Sequence, residues 1–212
     1  MAFAEQTIQT FTDALASNAP TPGGGGASAL AGTLAAALGS MVGALTVGKP
    51  KYAAVEADVK TAMARLETLR AELLALTDRD AEAFEPLSRA YGIPKDDPAR
   101  ETVMEAALQA AAAVPLEIMR AVSQVILVQA ELSEKGSVLA LSDAGVGAAL
   151  AGAALTGASL NVFINTKYMT DRARARSLEA EADAMLAEFG PIAEATAARV
   201  LARYHSQEAR NG

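Results

Sequence analysis

The chain has 212 residues, enough for one large domain, and 51% of them are hydrophobic while only 4% are aromatic. It has no cysteine, which excludes disulfides, thiol nucleophiles and cysteine-ligated metals, and its net charge of −7 argues against nucleic-acid binding. The one histidine, His205, is expected to be solvated on the last helix, which argues against a Ser-His-Asp triad and against histidine-based metal sites.

Helical spacing of apolar residues dominates the sequence, and no stretch shows the alternation typical of a strand. A first helix is predicted to end near Asn18. A second is predicted to begin within the glycines that follow Pro22 and to reach about Val47. Its apolar ridge is expected to comprise Leu30, Leu34, Leu38, Met41 and Leu45.

Four more helices follow, each bounded by breakers or capping residues. The third is predicted over Tyr52–Tyr91, and the fourth from Pro98 to Lys135, before Gly136. The fifth is expected to be capped by Ser142 or Asp143 and to reach Asn165. The sixth is expected to begin at Thr170 or Asp171 and to be interrupted at Gly190–Pro191. We find no repeat and no linker, so the sequence predicts one all-α domain of about six helices over residues 1–212.

Two uncharged segments, 27–47 and 144–166, are long enough to span a membrane. Both consist mainly of Ala, Gly, Ser and Thr and lack aromatic belts, so we predict two buried central helices and no membrane contact. Gly32, Gly39 and Gly43 are expected to let another backbone, including that of a second subunit, approach closely. The first ten residues do not have the pattern of a signal peptide, and we expect a cytoplasmic protein.

The stretch APTPGGGGASALAG, residues 19–32, is the most unusual in the chain. A glycine turn that opens a helix presents free N–H groups, which suit an anion, but no Lys-Ser/Thr pair follows and no strand precedes it. The run is therefore neither a P-loop nor a dinucleotide-binding turn. Two interpretations stay open: a tight helix entry, or a wall of bare backbone against a ligand.

Several polar residues are candidates for a site, each with a structural alternative. Asp143 is either a helix N-cap or an acid/base at the mouth of the bundle. Asn161 and Asn165 share one face of a helix, where buried amides bind either neighbouring backbone or a ligand. Asp80 lies in an acidic turn that is either solvated or catalytic. Lys49, with Lys51 and Tyr52 beside it, is either a surface residue or a contact for an anionic group.

Taken together, several motifs resemble, in order and spacing, the cyclodeaminase/cyclohydrolase family. They are the glycine stretch running on to VGKPKY, then DRDAEAF, VPLEI, SDAGVGAAL and LNVFIN. The resemblance covers about residues 3–205, and no formiminotransferase domain accompanies it. It implies an all-α up-and-down bundle that forms a homodimer, with folate bound near the dimer interface.

The resemblance also implies chemistry on a folate one-carbon unit: hydrolysis of 5,10-methenyltetrahydrofolate or, as the alternative, ammonia release from formiminotetrahydrofolate. Under this hypothesis Asp143 is the first choice for the acid/base and Asp80 the second, while Asn161 and Asn165 orient the pterin or the water. The wall of the site is assigned to Gly24, Gly25, Gly26 and Ser28, and the anionic tail to Lys49 with Tyr52 beside it. No metal and no cofactor beyond the folate are expected. A non-catalytic helical module that has kept the fold is the alternative from another class.

Overall fold

The computed structural model describes residues 2–211 and the side chains of residues 2–205. Six α-helices and three short 3-10 turns account for the described secondary structure, and no strand occurs within residues 2–211. The helices are α1 (Ile8–Leu15), α2 (Gly24–Ala44), α3 (Glu56–Ala90), α4 (Arg100–Lys135), α5 (Leu141–Thr166) and α6 (Arg172–Asn211). The all-α prediction with six helices is confirmed.

Helix α4 is the centre of the bundle. It packs against α2, α3, α5 and α6, and consecutive helices from α2 to α6 contact one another through short connections. Helices α2 and α5 are also direct neighbours, so they form a central pair lying on α4. Leucine, isoleucine and valine fill the core of α4, whereas alanine and glycine predominate in the buried faces of α2 and α5.

The ridge of large apolar residues that was predicted on α2 faces outward instead of into the core. Leu34, Met41 and Leu45 are 49%, 48% and 38% exposed, while the small residues of α2 face the core. The reason is steric, because a Cβ on Gly39 or on Gly43 would approach α3 side chains to 2.7 Å or less. With Leu160 and Ile164 of α5, which are 63% and 50% exposed, these three side chains form a surface that we call the outer face.

The prediction that Gly32, Gly39 and Gly43 serve subunit contacts is therefore corrected. All three are buried inside the chain, against Val122, Leu66 and Met63 among others. Close approach does occur at these glycines, but to side chains of α3 and α4 of the same bundle.

Gln129 of α4 lies between α2 and α5 and is fully buried. Its Nε2 donates to the Ala35 carbonyl at 2.5 Å, and its Oε1 has no hydrogen-bond partner. A Cβ on Gly39 or on Gly147 would meet the amide nitrogen at 2.8 Å or 2.4 Å, so both neighbouring helices leave room for this one side chain.

Several helix boundaries differ from the predictions. Helix α3 begins at Glu56 instead of Tyr52, because residues Pro50–Val55 form a 3-10 turn. Helix α5 begins at Leu141, directly after the 3-10 turn Val138–Ala140, so Asp143 lies in its first turn instead of capping it. Helix α6 continues through Gly190–Pro191, although a proline removes one helical hydrogen bond and crowds the carbonyl four residues earlier; Ala193, two residues on, stays packed in the core. The start of α6 is confirmed, since Asp171 accepts the N–H of Arg174 at 2.9 Å. His205 is exposed, as predicted.

Three described helical segments are long and apolar enough to cross a membrane: Gly24–Ala44, Arg100–Lys135 and Val138–Thr166. Half of the most apolar window in the first and third segments is buried inside the bundle, as is 72% of that in the second. Helix α4 is thus a third such segment, in addition to the two that the sequence singled out, and its apolar residues form the core.

Candidate active site

A cavity of about 230 Å³ lies at the start of α2, where four helices converge. We call it the site pocket. Its wall consists of Pro20, Thr21, Gly23 and Gly24 before and in α2, Asp80 and Phe84 of α3, Ala111 and Pro115 of α4, and Asn161, Ile164 and Asn165 of α5. Five of the sequence-predicted site residues therefore line or border it: Gly24, Gly25, Asp80, Asn161 and Asn165.

Asp80 lies directly against the first turn of α2. The Gly26 N–H donates to its Oδ2 at 2.9 Å. A Cβ built on Gly25 would be 2.1 Å from its Oδ1, far inside van der Waals contact. The glycine run thus has a specific purpose: it lets a carboxylate of α3 lie on the backbone at a helix N-terminus, where free N–H groups favour negative charge.

Burial raises the pKa of Asp80 above the ordinary aspartate value of 3.8, and the hydrogen bond from Gly26 offsets part of this rise. A carboxylate whose pKa moves toward neutrality is a stronger base than a solvated one and is easier to reprotonate. Among the sequence-predicted carboxylates, Asp80 therefore has the environment that acid/base chemistry requires.

The two amides of α5 form the opposite wall. Asn165 is buried, and its Nδ2 donates to the Ala111 carbonyl at 3.0 Å and to the Asn161 carbonyl at 2.8 Å. Asn161 donates to the Gly157 carbonyl at 2.9 Å and lies next to the Cα of Gly24. These bonds fix both side chains through their NH₂ groups, which leaves the amide oxygens to face a ligand.

Ser28 supports the wall from behind. Its hydroxyl donates to the Gly24 carbonyl at 2.7 Å, and a Cβ on Gly157 would come within 2.5 Å of the Ser28 oxygen. Ser28 is buried and does not line the site pocket. Its contacts are with Gly24 of its own helix and with Gly157 of α5, so Ser28 lies behind the pocket wall.

Asp143, Lys49 and Tyr52 lie at the opposite end of the α2–α5 pair from the site pocket. We call this the far end. Asp143 is 18 residues before Asn161 on α5, a separation of about 27 Å along the helix. Lys49 follows α2, and its ammonium is 3.5 Å from the Ser137 hydroxyl. The Tyr52 hydroxyl accepts the Val138 N–H at 3.0 Å, which lowers the pKa of this phenol. The structure does not bring these three residues to the site pocket of their own chain.

Several wall residues escaped the sequence reasoning as site residues. Phe84 is one turn after Asp80 and shares its face, which is a usable signal. Pro115 belongs to the VPLEI motif that contributes to the family resemblance, but no role in the site was assigned to it from the sequence. Pro20 and Thr21 precede the glycines and carry the same signal as the run itself.

Three larger cavities occur among the described residues, and the smallest of them, of about 390 Å³, lies along α4 beside Glu101, Glu105 and Thr170. A second, of about 430 Å³, lies near Tyr168 and the start of α4, among several acidic residues. The third, of about 600 Å³, is a shallow groove of Ala and Gly between α5 and α6. None of the three contains a residue that the sequence marked as a candidate for the site. Among the described side chains no three His, Asp or Glu residues cluster as a metal site would need, and the absence of a metal stays a prediction.

Comparison with known proteins gives a consistent result. Residues 7–184 match the formiminotransferase-cyclodeaminase family model. A methenyltetrahydrofolate cyclohydrolase of Methylorubrum extorquens is 45% identical over 89% of this chain and 93% of its own length. The formimidoyltransferase-cyclodeaminase of Sus scrofa is 32% identical over 95% of the chain, which spans only 37% of that longer protein.

The fold agrees with a solved relative. The crystal structure of formiminotetrahydrofolate cyclodeaminase from Thermotoga maritima superposes with a TM-score of 0.81 at 30% identity, covering 92% of this chain and 94% of that one. The family match extends over most of the chain and includes the glycine run, Asp80 and both amides. The chain therefore belongs to the formiminotransferase-cyclodeaminase family.

Proposed function

We propose that this protein is a folate one-carbon enzyme that hydrolyses 5,10-methenyltetrahydrofolate to 10-formyltetrahydrofolate in the site pocket. The observation that carries the proposal is the half-buried Asp80, held against bare helix backbone and facing two amides across a narrow cavity. The 45% identity with a methenyltetrahydrofolate cyclohydrolase over nearly the whole chain supports this activity.

The reaction needs little beyond one base. The carbon that bridges N5 and N10 is part of a cation and already electrophilic, so a water activated by Asp80 adds to it while the carboxylate takes the proton. The protonated Asp80 then returns this proton to N5 as the C–N5 bond breaks. The hydroxyl proton leaves to solvent as the formyl group forms on N10.

The other residues position the reactants. The aminopyrimidinone head of folate carries N–H donors, which match the free amide oxygens of Asn161 and Asn165. Phe84 offers an aromatic face to the flat pterin, and Gly24 allows the ring to lie on the backbone. Held in this way, the bridging carbon is placed near Asp80 before water adds.

A second activity has specific support. The Thermotoga maritima relative is a formiminotetrahydrofolate cyclodeaminase, and its fold matches over almost the entire chain. Cyclodeamination uses the same carbon: N10 closes onto the formimino group, and an acid protonates the departing ammonia. Protonated Asp80, with its raised pKa, suits this step as well.

The test is a parallel assay of purified protein with both substrates. Methenyltetrahydrofolate hydrolysis is followed by loss of its absorbance above the spontaneous rate, and ammonia release by a coupled assay with formiminotetrahydrofolate. Turnover of the first substrate supports the proposal, and turnover of the second alone transfers the site to cyclodeamination. Binding of folate without turnover of either assigns the protein to the non-catalytic class.

The proposal includes the setting of the enzyme. Two copies associate through the outer face, because five large apolar side chains on two neighbouring helices otherwise lie in water. The homodimer is cytoplasmic, requires no cofactor beyond the folate substrate, and contacts neither nucleic acid nor membrane. Light scattering of detergent-free protein, with Leu34→Glu expected to halve the measured mass, tests both the dimer and its solubility.

A further inference from the structure

Helix α4 contains a proline at the point where it passes the site pocket. Pro115 is buried in the pocket wall and has no N–H, so the helical hydrogen bond from residue 115 to the carbonyl of Ala111, four residues earlier, cannot form. Ala111 lines the same wall and is only 5% exposed. Because a buried carbonyl without a partner is costly, this interruption of α4 requires a donor from elsewhere.

Asn165 of α5 supplies that donor. Its Nδ2 lies 3.0 Å from the Ala111 carbonyl and 2.8 Å from the Asn161 carbonyl, so each hydrogen of the amide has an acceptor. Turning the amide over would place its oxygen against two carbonyl oxygens, which would repel it. The NH₂ group therefore faces the two carbonyls, and the oxygen is the atom left for a ligand in the site pocket.

The other two prolines inside the described helices lie on the surface. Pro86 of α3 frees the carbonyl of Glu82, and Pro191 of α6 frees that of Ala187. These four residues are all exposed, so water can bind the freed carbonyls. Pro115 differs because a side chain of a neighbouring helix replaces its missing hydrogen bond.

The orientation of the Asn165 amide selects for a donor on the ligand. An N–H group can donate to the Asn165 oxygen, whereas a carbonyl or a carboxylate at the same point would be repelled. The aminopyrimidinone ring of folate carries its amino and ring N–H groups on the side remote from the N5–N10 bridge. A contact there contributes to binding of the substrate and to its transition state alike, since the reacting carbon is at the other end of the pterin.

We propose that Pro115 is a positioning residue of this site: it leaves the Ala111 carbonyl free to orient Asn165, whose oxygen then accepts an N–H of the pterin. This rests on the proposed function. The hydrogen bond that is missing from α4 thus determines which end of an amide on α5 faces the substrate.

The test is a double-mutant cycle between residues 115 and 165. Pro115→Val keeps a side chain of similar size but supplies an N–H, which bonds to the Ala111 carbonyl in place of Asn165. KM for methenyltetrahydrofolate should rise about five- to tenfold, as expected for one hydrogen bond, while kcat stays within about twofold because Asp80 keeps its contacts. Asn165→Ala should raise KM at least as much. In the double variant Pro115→Val should add nothing further, because the amide through which it acts is gone.

Two further variants test the reason for a raised KM. Pro191→Val makes the same replacement in α6, outside the wall of the site pocket, and should leave KM unchanged. Pro115→Ala supplies the same N–H as Pro115→Val, so it should have the same effect and replaces the valine variant if that one does not fold. A KM that rises in Pro115→Ala but not in a folded Pro115→Val would make the proline ring a mere wall contact and overturn the proposal.

Hydrogen exchange of the Asn165 NH₂ group, measured by NMR without substrate, is the readout that does not depend on activity. Exchange should be faster in Pro115→Val than in the unmodified protein, because one acceptor has been taken. Equal exchange in the two proteins, or additive increases of KM in the double variant, would contradict the proposal. If the unmodified protein neither turns over nor binds folate, the proposed function fails and the substrate contact fails with it, although faster exchange in Pro115→Val would still be observed.

Discussion

At one end of the α2–α5 pair a half-buried carboxylate and two amides line a pocket, whereas at the other end two lysines and a tyrosine lie on the surface. Both ends contain an aspartate that the sequence marks as an acid/base. Asp80 accepts the Gly26 N–H and burial raises its pKa, whereas Asp143 lies in the first turn of α5 and outside the wall of the site pocket. The comparison teaches that the environment of a carboxylate, more than its place in a motif, decides which chemistry it supports.

The largest effect is expected from Asp80→Asn. Loss of the base should lower kcat about 10²–10⁴-fold while folate binding persists, since the amide keeps the shape of the carboxylate. Rates of methenyltetrahydrofolate hydrolysis measure this directly. Glu82→Gln, two residues along α3 and exposed, is the control that should retain full turnover.

The competing variant is Asp143→Asn. A larger loss of kcat in Asp143→Asn, with the kcat of Asp80→Asn nearly unchanged, would assign the acid/base to Asp143 instead of Asp80.

A smaller loss is expected from Gly25→Ala. The new Cβ would lie 2.1 Å from Oδ1 of Asp80, so the carboxylate must move away from the turn. Activity should fall about 10–100-fold, because small displacements of a catalytic group are costly. Gly190→Ala is the control: its Cβ meets nothing within 4 Å and it lies in α6, outside the wall of the site pocket, so turnover should be unchanged. Equal activity of the two variants would mean that the position of Asp80 does not matter.

The middle of the α2–α5 pair is expected to matter for stability, whereas its two ends are compared by their activity. Gly39→Ala pushes a methyl group to 2.7 Å from Leu66 and 2.8 Å from Gln129, and should lower the free energy of unfolding by about 1–3 kcal/mol. Gly190→Ala, inside α6 with nothing within 4 Å, should raise it by about 0.5–1 kcal/mol. Urea denaturation measures both. A Gly39→Ala protein as stable as the unmodified one would show that the central packing is loose.

The smallest effect concerns pH. Because burial raises the pKa of Asp80 above 3.8, the folded protein binds this proton more tightly than the unfolded chain. Between pH 3.8 and the raised folded-state value, folding takes up a proton, so the free energy of unfolding falls as the pH rises through that window. In Asp80→Asn this residue takes up no proton on folding, so the stability of the variant does not fall in this way. Its Tm relative to that of the unmodified protein should therefore increase as the pH rises across the same window. Thermal unfolding at a series of pH values checks the sign, and a relative Tm that decreases as the pH rises would contradict it.

The sequence was sufficient for most of the helices and for some of the residues that line the site pocket. Prolines and glycines mark most helix ends, and the fixed period of a helix places Asn161 beside Asn165 and Asp80 beside Phe84. The sequence was not sufficient to decide which face of α2 turns toward the core. Its leucines and its glycines both recur with helical spacing, and only the neighbours of Gly39 and Gly43 determine which face turns inward.

The sequence could not place Asp143 relative to the pocket for a related reason. Two residues on different helices have a distance that depends on how those helices are aligned, and no local pattern contains that alignment. The motif around Asp143 indicated a site because a carboxylate opens an uncharged helix. The site pocket lies at the opposite end of the same helix.

That alignment is maintained at a distance from the pocket. The Gln129 side chain occupies the gap between Gly39 of α2 and Gly147 of α5, and its amide is bonded to the Ala35 carbonyl. A slip of either helix by one residue, about 1.5 Å, would bring a larger neighbour against this amide. The same slip would shift Gly24 relative to Asn161, so the middle of the bundle sets the width of the pocket. Substitutions of Gln129 should therefore change substrate affinity without touching the substrate.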